Sequence, residues 1–206
     1  MAVQSIGWWH SMVTVGFVVE GDSDELLPQS KLFREWLRDV CNMELVDPVV
    51  NAGGNGNMCN RKIGIYVQKL KIQAKPDKII VLADLDPDRC APCIEERRKI
   101  IGGDGIDLIV IARKAIESWF LADTEAMQRW SGDNNFYEPD PEIMEGMPWD
   151  RLKEIGRSKG RGPGSKIAFA RKFIRDHQFN IERAASHPKC PTARYFAEKL
   201  IELGRT

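Results

Sequence analysis

Four acidic side chains stand near the ends of apolar stretches that are far apart along the chain. Glu20 and Asp84 each directly follow such a stretch, Asp86 comes two residues after Asp84, and Glu117 lies shortly after a third stretch. Ionised carboxylates are hard oxygen ligands of the kind that Mg²⁺ and Mn²⁺ prefer in proteins. If the fold gathers these side chains, they repel each other unless a cation neutralises them. The residue types therefore favour a site for one or two divalent ions that includes Glu20, Asp84 and Asp86.

The apolar stretches are β-prone and alternate with helical patterns. Strands are predicted over 13–19, 44–50, 78–83 and 106–111. Helices are predicted after the first strand, over about 58–73 and 92–101, and over about 165–176 and 192–203. This alternation is typical of βαβ units, and it predicts an α/β fold with a mainly parallel four-stranded sheet flanked by helices. Polar residues at the carboxyl ends of parallel strands gather along one edge, where ligands bind.

The segment Asp84-Leu85-Asp86 adds a local argument. If the backbone is still extended there, both aspartates point the same way and Leu85 points into the core. With two bound ions, one can activate the attacking water and the other can stabilise the leaving oxygen. The alternative for any single carboxylate is a helix cap or a first-turn charge. Asp22, Asp24 and Glu25 are closer to that alternative, and Glu25 is the best of the three for a second metal ion.

Charge is unevenly distributed, although the net charge is zero. Residues 1–150 contain 16 Lys and Arg against 25 Asp and Glu, a balance of −9, and residues 151–206 contain 14 against 5, a balance of +9. This asymmetry suits a protein that holds cations in its body and contacts a polyanion through its C-terminal segment. Arg157, Lys159 and Arg161 lie in a stretch without apolar residues and would suit phosphate contacts. A solvated basic face or linker without a partner is the alternative.

Three segments together resemble a known family. They are Val19-Glu20-Gly21-Asp22-Ser23-Asp24-Glu25, Leu82-Ala83-Asp84-Leu85-Asp86 and Glu117-Ser118-Trp119-Phe120-Leu121-Ala122-Asp123. A Glu-Gly pair after the first strand and D-x-D after a later one resemble the Toprim domain of topoisomerases, primases, ribosomal-RNA maturases and OLD-type nucleases. The phrase around Glu117 narrows the resemblance to a bacterial group, domain of unknown function 4276, which is related to OLD-type nucleases.

The resemblance implies a Toprim (Rossmann-like) core over 13–131. Residues 1–12 would form an N-terminal extension, and 132–206 a helical, basic C-terminal segment packed on the core. Glu20 would be the metal-linked glutamate and a general acid or base, with Asp84 and Asp86 as metal ligands. Glu25 and Glu117 would serve a second metal ion. Lys166 would balance charge on the scissile phosphate and, with the three basic residues above, contact nucleic acid.

The function that the resemblance implies is cleavage of DNA or RNA phosphodiester bonds with Mg²⁺ or Mn²⁺, in defence against phage or mobile elements with an ATPase partner. A second hypothesis is a non-catalytic subunit with the same fold that binds nucleic acid or an ATPase. A weaker third is a HAD-like phosphatase, because Asp84-x-Asp86 is similar to the nucleophile pair of that class. That pair normally lies on the first strand and precedes a threonine, whereas Asp88 stands at the corresponding position here.

Neither a membrane span nor a secretory signal is expected from the sequence. No run approaches the roughly 18 consecutive apolar residues of a span. The first residues lack the basic start, apolar stretch and small-residue cleavage site of a signal peptide. We therefore predict a cytoplasmic protein without a membrane partner, and the sequence leaves a homo-oligomer open.

Overall fold

The computed structural model describes residues 12–86, 91–160 and 162–205. All but the last residue of the predicted N-terminal extension lies outside these ranges. The strands are Val13–Val19 (β1), Met43–Leu45 (β2), Val50–Asn51 (β3), Lys78–Asp84 (β4) and Leu108–Ala112 (β5). The helices are Asp22–Gln29 (α1), Lys31–Asp39 (α2), Asn60–Gln73 (α3), Ala91–Ile101 (α4), Glu117–Ala122 (α5), Thr124–Ser131 (α6), Pro148–Ser158 (α7), Lys166–Asp176 (α8), Ile181–Ser186 (α9) and Pro191–Leu203 (α10). None of the described helices has the length and apolar character needed to cross a membrane.

The strands form one parallel sheet in the order β2-β1-β4-β5, with β3 also paired to β1. The predicted α/β class and parallel sheet are confirmed, but the predicted count of four strands is wrong. The expected strand over 44–50 is two short strands that pair with β1 in succession. Pro48 lies between them, and proline has no backbone N–H to donate to a strand ladder. The exposed Asp47 beside it is bound instead by Arg34 through two hydrogen bonds of 3.0 and 2.7 Å.

Each face of the sheet packs against its own set of helices. Val15, Phe17 and Val19 of β1 belong to a hydrophobic cluster with α1, α2 and the helices from α5 onward. Val18 belongs to a second cluster with α3 and α4. Gly16 allows close packing on this second side, because a Cβ atom there would lie 2.9 Å from side-chain atoms of both Leu70 and Pro76. Successive side chains of β1 therefore point to opposite faces of the sheet, and helices cover both faces, as expected for a parallel sheet.

Helices from the C-terminal part of the chain share a core with the strands. Phe196 of α10 is fully buried, and its ring stacks on Trp119 of α5 at 5.3 Å and on Phe33 of α2 at 5.8 Å between centroids. A second link joins α5 to α9, since Arg183 donates to the fully buried carboxylate of Asp123 at 2.7 and 2.9 Å. Three helices in this part, α6, α7 and α9, were not predicted.

The packing of α10 predicts a large loss of stability for Phe196→Ala. Removing a buried aromatic ring costs transfer free energy and leaves a cavity, together about 3–5 kcal/mol. Urea unfolding followed by circular dichroism measures the change. Ile72→Ala is the control, because Ile72 is 74% exposed. A loss below about 1 kcal/mol for Phe196→Ala would contradict the packing of α10 on the sheet.

Candidate metal centre

The carboxyl ends of the strands define the edge at which the predicted acidic residues meet. Four carboxylates interact electrostatically there, and we call them the carboxylate cluster: Glu20, Asp24, Asp84 and Glu117. Glu20 directly follows β1, and Asp84 is the last residue of β4. Asp24 is in the first turn of α1, and Glu117 is the first residue of α5. Parallel pairing of β1 with β4 and of β4 with β5 brings these separate segments together.

Glu20 is bound by a backbone amide and by a buried arginine. Its Oε2 atom accepts the N–H of Asp84 at 3.2 Å and one guanidinium N–H of Arg97 at 3.2 Å. Arg97 also donates to the carbonyls of Met58 at 3.2 Å and Asp84 at 3.4 Å. Burial raises the pKa of Glu20 above its usual range, although these donors oppose the shift. Sequence reasoning missed Arg97, because nothing in the helical pattern of α4 distinguishes it from a solvated arginine.

Asp84 lies among the other members of the cluster. Its Oδ1 atom accepts the N–H of Ile116 at 3.0 Å, which ties the end of β4 to the loop before α5. Burial raises the pKa of Asp84 well above its usual range, and the charges of Asp24, Glu117 and Glu20 raise it further. A proton or an additional cation is therefore favoured at this carboxylate.

Glu117 and Lys166 form an ion pair at the cluster. Glu117 is buried, and the Nζ atom of Lys166 lies 3.3 and 3.4 Å from its two carboxylate oxygens. Lys166 is the first residue of α8, which Ser165 caps by accepting the N–H of Ala168. Burial acts to lower the pKa of Lys166, but Glu117, Asp84 and Asp24 outweigh it and the pKa is raised. Lys166 therefore carries a positive charge at neutral pH.

Asp24, rather than Glu25, joins the cluster. Asp24 caps α1 by accepting the N–H of Gly21 at 3.0 Å, as the capping alternative predicted, and it is also buried. Burial raises its pKa to about 7, and the charges of Glu117 and Glu20 contribute. Consecutive helical residues point about 100° apart, so Glu25 leaves α1 in a different direction from Asp24. Its two oxygens accept from Gln29 at 2.7 Å and from Asn51 at 3.3 Å.

Asp86 is close to the cluster but exposed. Leu85 is buried, as the alternation of side chains in an extended backbone predicts. The backbone N–H of Asp86 donates to the carbonyl oxygen of Lys114 at 2.9 Å. The charge of Asp86 contributes to the raised pKa of Glu20. Asp86 could therefore contribute an oxygen from the solvent side, while Asp84 contributes from within.

The predicted nucleic-acid-binding residues lie in different settings. Arg157 and Lys159 are exposed at the end of α7. Arg161 lies outside the described residues. Lys166 belongs to the carboxylate site, where it pairs with Glu117.

The cluster contains the type of ligand atom that a hard divalent cation prefers, since all of its donors are carboxylate oxygens. Within the described ranges, no group of three or more Asp, Glu, His or Cys side chains is arranged to hold a metal ion. In this arrangement Lys166 and Arg97 supply the positive charge that faces the cluster.

Comparison of the chain with protein-family models, with curated proteins and with solved structures found no match. The resemblance to the Toprim domain therefore depends on the three quoted segments.

The raised pKa of Asp24 predicts a specific dependence of stability on pH in the presence of EDTA. The pKa of Asp24 rises from 3.8 to about 7 on folding, so the folded state holds a proton that the unfolded chain releases between these values. The resulting stabilisation is present below about pH 4 and is lost as the pH rises through about 7. Asp24→Asn removes this loss and should be more stable than wild type at about pH 8 by roughly 2–4 kcal/mol.

Urea unfolding at several pH values measures this difference. The two proteins should have similar stability near pH 3, where Asp24 is mostly neutral in both states. Asp39→Asn is the control, because Asp39 is exposed and pairs with the neighbouring Arg38. Equal stability of Asp24→Asn and wild type at about pH 8 would contradict the buried, repelled position of Asp24.

Proposed function

We propose that this chain is a divalent-metal-dependent nuclease with a Toprim fold that hydrolyses phosphodiester bonds of DNA or RNA. The observation that carries the proposal is the convergence of Glu20, Asp84 and Glu117 with Lys166. These residues come from four separate segments and meet at the carboxyl edge of a parallel sheet. A metal-assisted reaction on a phosphate diester requires carboxylates beside a group that stays positively charged, as the ammonium group of Lys166 does.

Each residue has a role that its environment supports. To hold the cation, Asp84, Glu117 and Asp24 would have to move closer around it than they lie in this structure, with Asp86 adding an oxygen from the exposed side. A bound Mg²⁺ or Mn²⁺ ion would activate water and stabilise the leaving oxygen. Lys166 stays charged because carboxylates surround it, so its ammonium group can approach a phosphate oxygen. Glu20 has a raised pKa, which suits exchange of a proton with the attacking or leaving oxygen, and Arg97 holds it in position.

A polyanionic substrate is supported by the distribution of charge. The acidic body and the basic segment after residue 150 carry opposite balances of −9 and +9. Arg157 and Lys159 are exposed near the start of α8, which carries Lys166. Phosphate contacts of this kind give affinity without reading base sequence. The resemblance to OLD-type nucleases extends the proposal to an ATPase partner and to defence against phage or mobile elements.

The first test is cleavage of labelled single- and double-stranded DNA and RNA by purified protein with Mn²⁺. Asp84→Asn and Glu20→Gln should each lower the cleavage rate by roughly 10²–10⁴-fold, because each removes a ligand or a proton-exchanging group. Glu44→Gln is the control, since Glu44 is exposed at the opposite end of the sheet in β2. Metal-independent binding without any cleavage would favour the non-catalytic hypothesis.

Substitutions of Lys166 test its role at the phosphate. Lys166→Met removes the charge and should lower kcat by roughly 10²–10³-fold, as for the loss of one group that stabilises the transition state. Lys166→Arg keeps the charge and should recover part of the rate. Thermal unfolding of both variants provides the control for stability, because Glu117 loses its partner in Lys166→Met. Equal cleavage rates for Lys166→Met and wild type would exclude Lys166 from the reaction.

A further inference from the structure

A concave site lies outside the carboxylate cluster. It is a cavity of about 290 Å³ between α6, the end of α7 and the outer side of α8, and we call it the α6–α8 pocket. Its volume is close to the lower end of the range typical of small-ligand sites, about 300 Å³. Gly162 and Pro163, in the connection between α7 and α8, form one wall. The lining residues that bear charge or a ring are Arg129, Trp130, Lys159, Phe169, Lys172 and His177.

The cations that line the pocket are two exposed lysines and one arginine that is held by neighbouring groups. Lys159 and Lys172 are exposed, and neither forms an ion pair within the described part of the chain. Arg129, in contrast, is held at the rim, where its Nε–H donates to the carbonyl of His177 at 2.9 Å and its guanidinium lies 3.5 Å from Glu125. The charge of Lys172 lowers the pKa of the nearby Asp176, so the two lysines place positive charge at the cavity that is only partly offset.

Aromatic rings form the base of the pocket. Trp130 is half-buried, and its ring meets that of Phe169 edge-on, with centroids 5.0 Å apart and an interplanar angle of 80°. Phe169 is buried beneath it. An indole fixed in this way beside two lysines provides a stacking surface for a flat ring that carries an anion. Base stacking combined with phosphate neutralisation is how proteins bind single-stranded nucleic acids without sequence preference.

We propose that the α6–α8 pocket binds a nucleotide unit, with its phosphate at Lys159 and Lys172 and its base against Trp130. The unit is either a free nucleotide or one residue of a strand. The pocket is joined to the carboxylate cluster by α8, since Lys172 follows Lys166 by six residues, about 9 Å along the helix axis. The role of the pocket as a subsite for the strand being cut rests on the proposed nuclease function. The binding itself does not.

Fluorescence polarisation of a labelled 12-residue oligo-dT strand tests the proposal, with EDTA present so that no cleavage occurs. Lys159→Gln/Lys172→Gln should weaken binding by about tenfold or more at low salt. Loss of two phosphate contacts should also reduce the slope of log affinity against log salt by about 1.4. The matched control is Lys69→Gln/Lys99→Gln, which removes two exposed lysines from α3 and α4. Equal weakening in the two double variants, or no binding by wild type, would overturn the proposal.

Competition experiments identify the ligand. If dTMP displaces the strand in wild type and loses this ability in Lys159→Gln/Lys172→Gln, the pocket accepts a free nucleotide. If the strand binds but dTMP does not, and Lys159→Gln/Lys172→Gln has a lower affinity for the strand, the nucleotide unit belongs to a strand. Trp130→Leu should weaken binding about tenfold. Unchanged affinity in a folded Trp130→Leu, with inorganic phosphate competing as well as dTMP, would overturn the nucleotide assignment.

The same proteins assayed with Mn²⁺ separate this proposal from the nuclease proposal. Binding that depends on the pocket, without cleavage, supports the pocket and contradicts the nuclease function. Cleavage that survives in Lys159→Gln/Lys172→Gln with unchanged KM overturns the pocket as a substrate subsite and leaves the carboxylate site unaffected.

Discussion

Burial of like charge is the constraint on which the arrangement of this molecule depends. Parallel strands and the helices that follow them bring the carboxylate cluster to one edge of the sheet, where each carboxylate loses hydration and is repelled by its neighbours. A folded chain tolerates such a cluster only if protons, cationic side chains or bound cations compensate. Lys166 and Arg97 provide two of these charges. The proposed metal ion would provide the rest.

The C-terminal part of the chain is needed for this compensation. α8 carries Lys166, and its position depends on the aromatic packing of Phe169 and Phe173 against Phe120 of α5, with ring centroids 6.1 and 5.2 Å apart. Because Glu117 starts the same helix as Phe120, the contacts that fix α8 also fix the ion pair. The excess of basic residues after residue 150 thus has a structural consequence within the cluster as well as a proposed role in binding.

The parts of the site that follow from strand ends could be predicted from the sequence, and the parts that depend on three-dimensional packing could not. Apolar strands followed by Glu20 and Asp84 place both residues at one edge of a parallel sheet. The choice between Asp24 and Glu25 depends on the rotation of α1 about its axis, which a first helical turn of mostly acidic residues leaves ambiguous. Arg97 meets Glu20 only because α4 packs against β5 and α3, which brings Arg97 to the end of β4. The division of the second predicted strand has a local cause instead. It follows from Pro48, which lies between the two short strands.

Calorimetric titration with Mn²⁺ determines whether the carboxylate cluster binds a divalent cation. Wild type should bind Mn²⁺, Glu44→Gln should bind it with unchanged affinity, and the double variant Asp84→Asn/Glu117→Gln should lose binding while its far-ultraviolet circular dichroism spectrum remains that of wild type. If wild type does not bind Mn²⁺, or if the folded double variant binds it as tightly as wild type, the carboxylates are not the ligands and the account is contradicted.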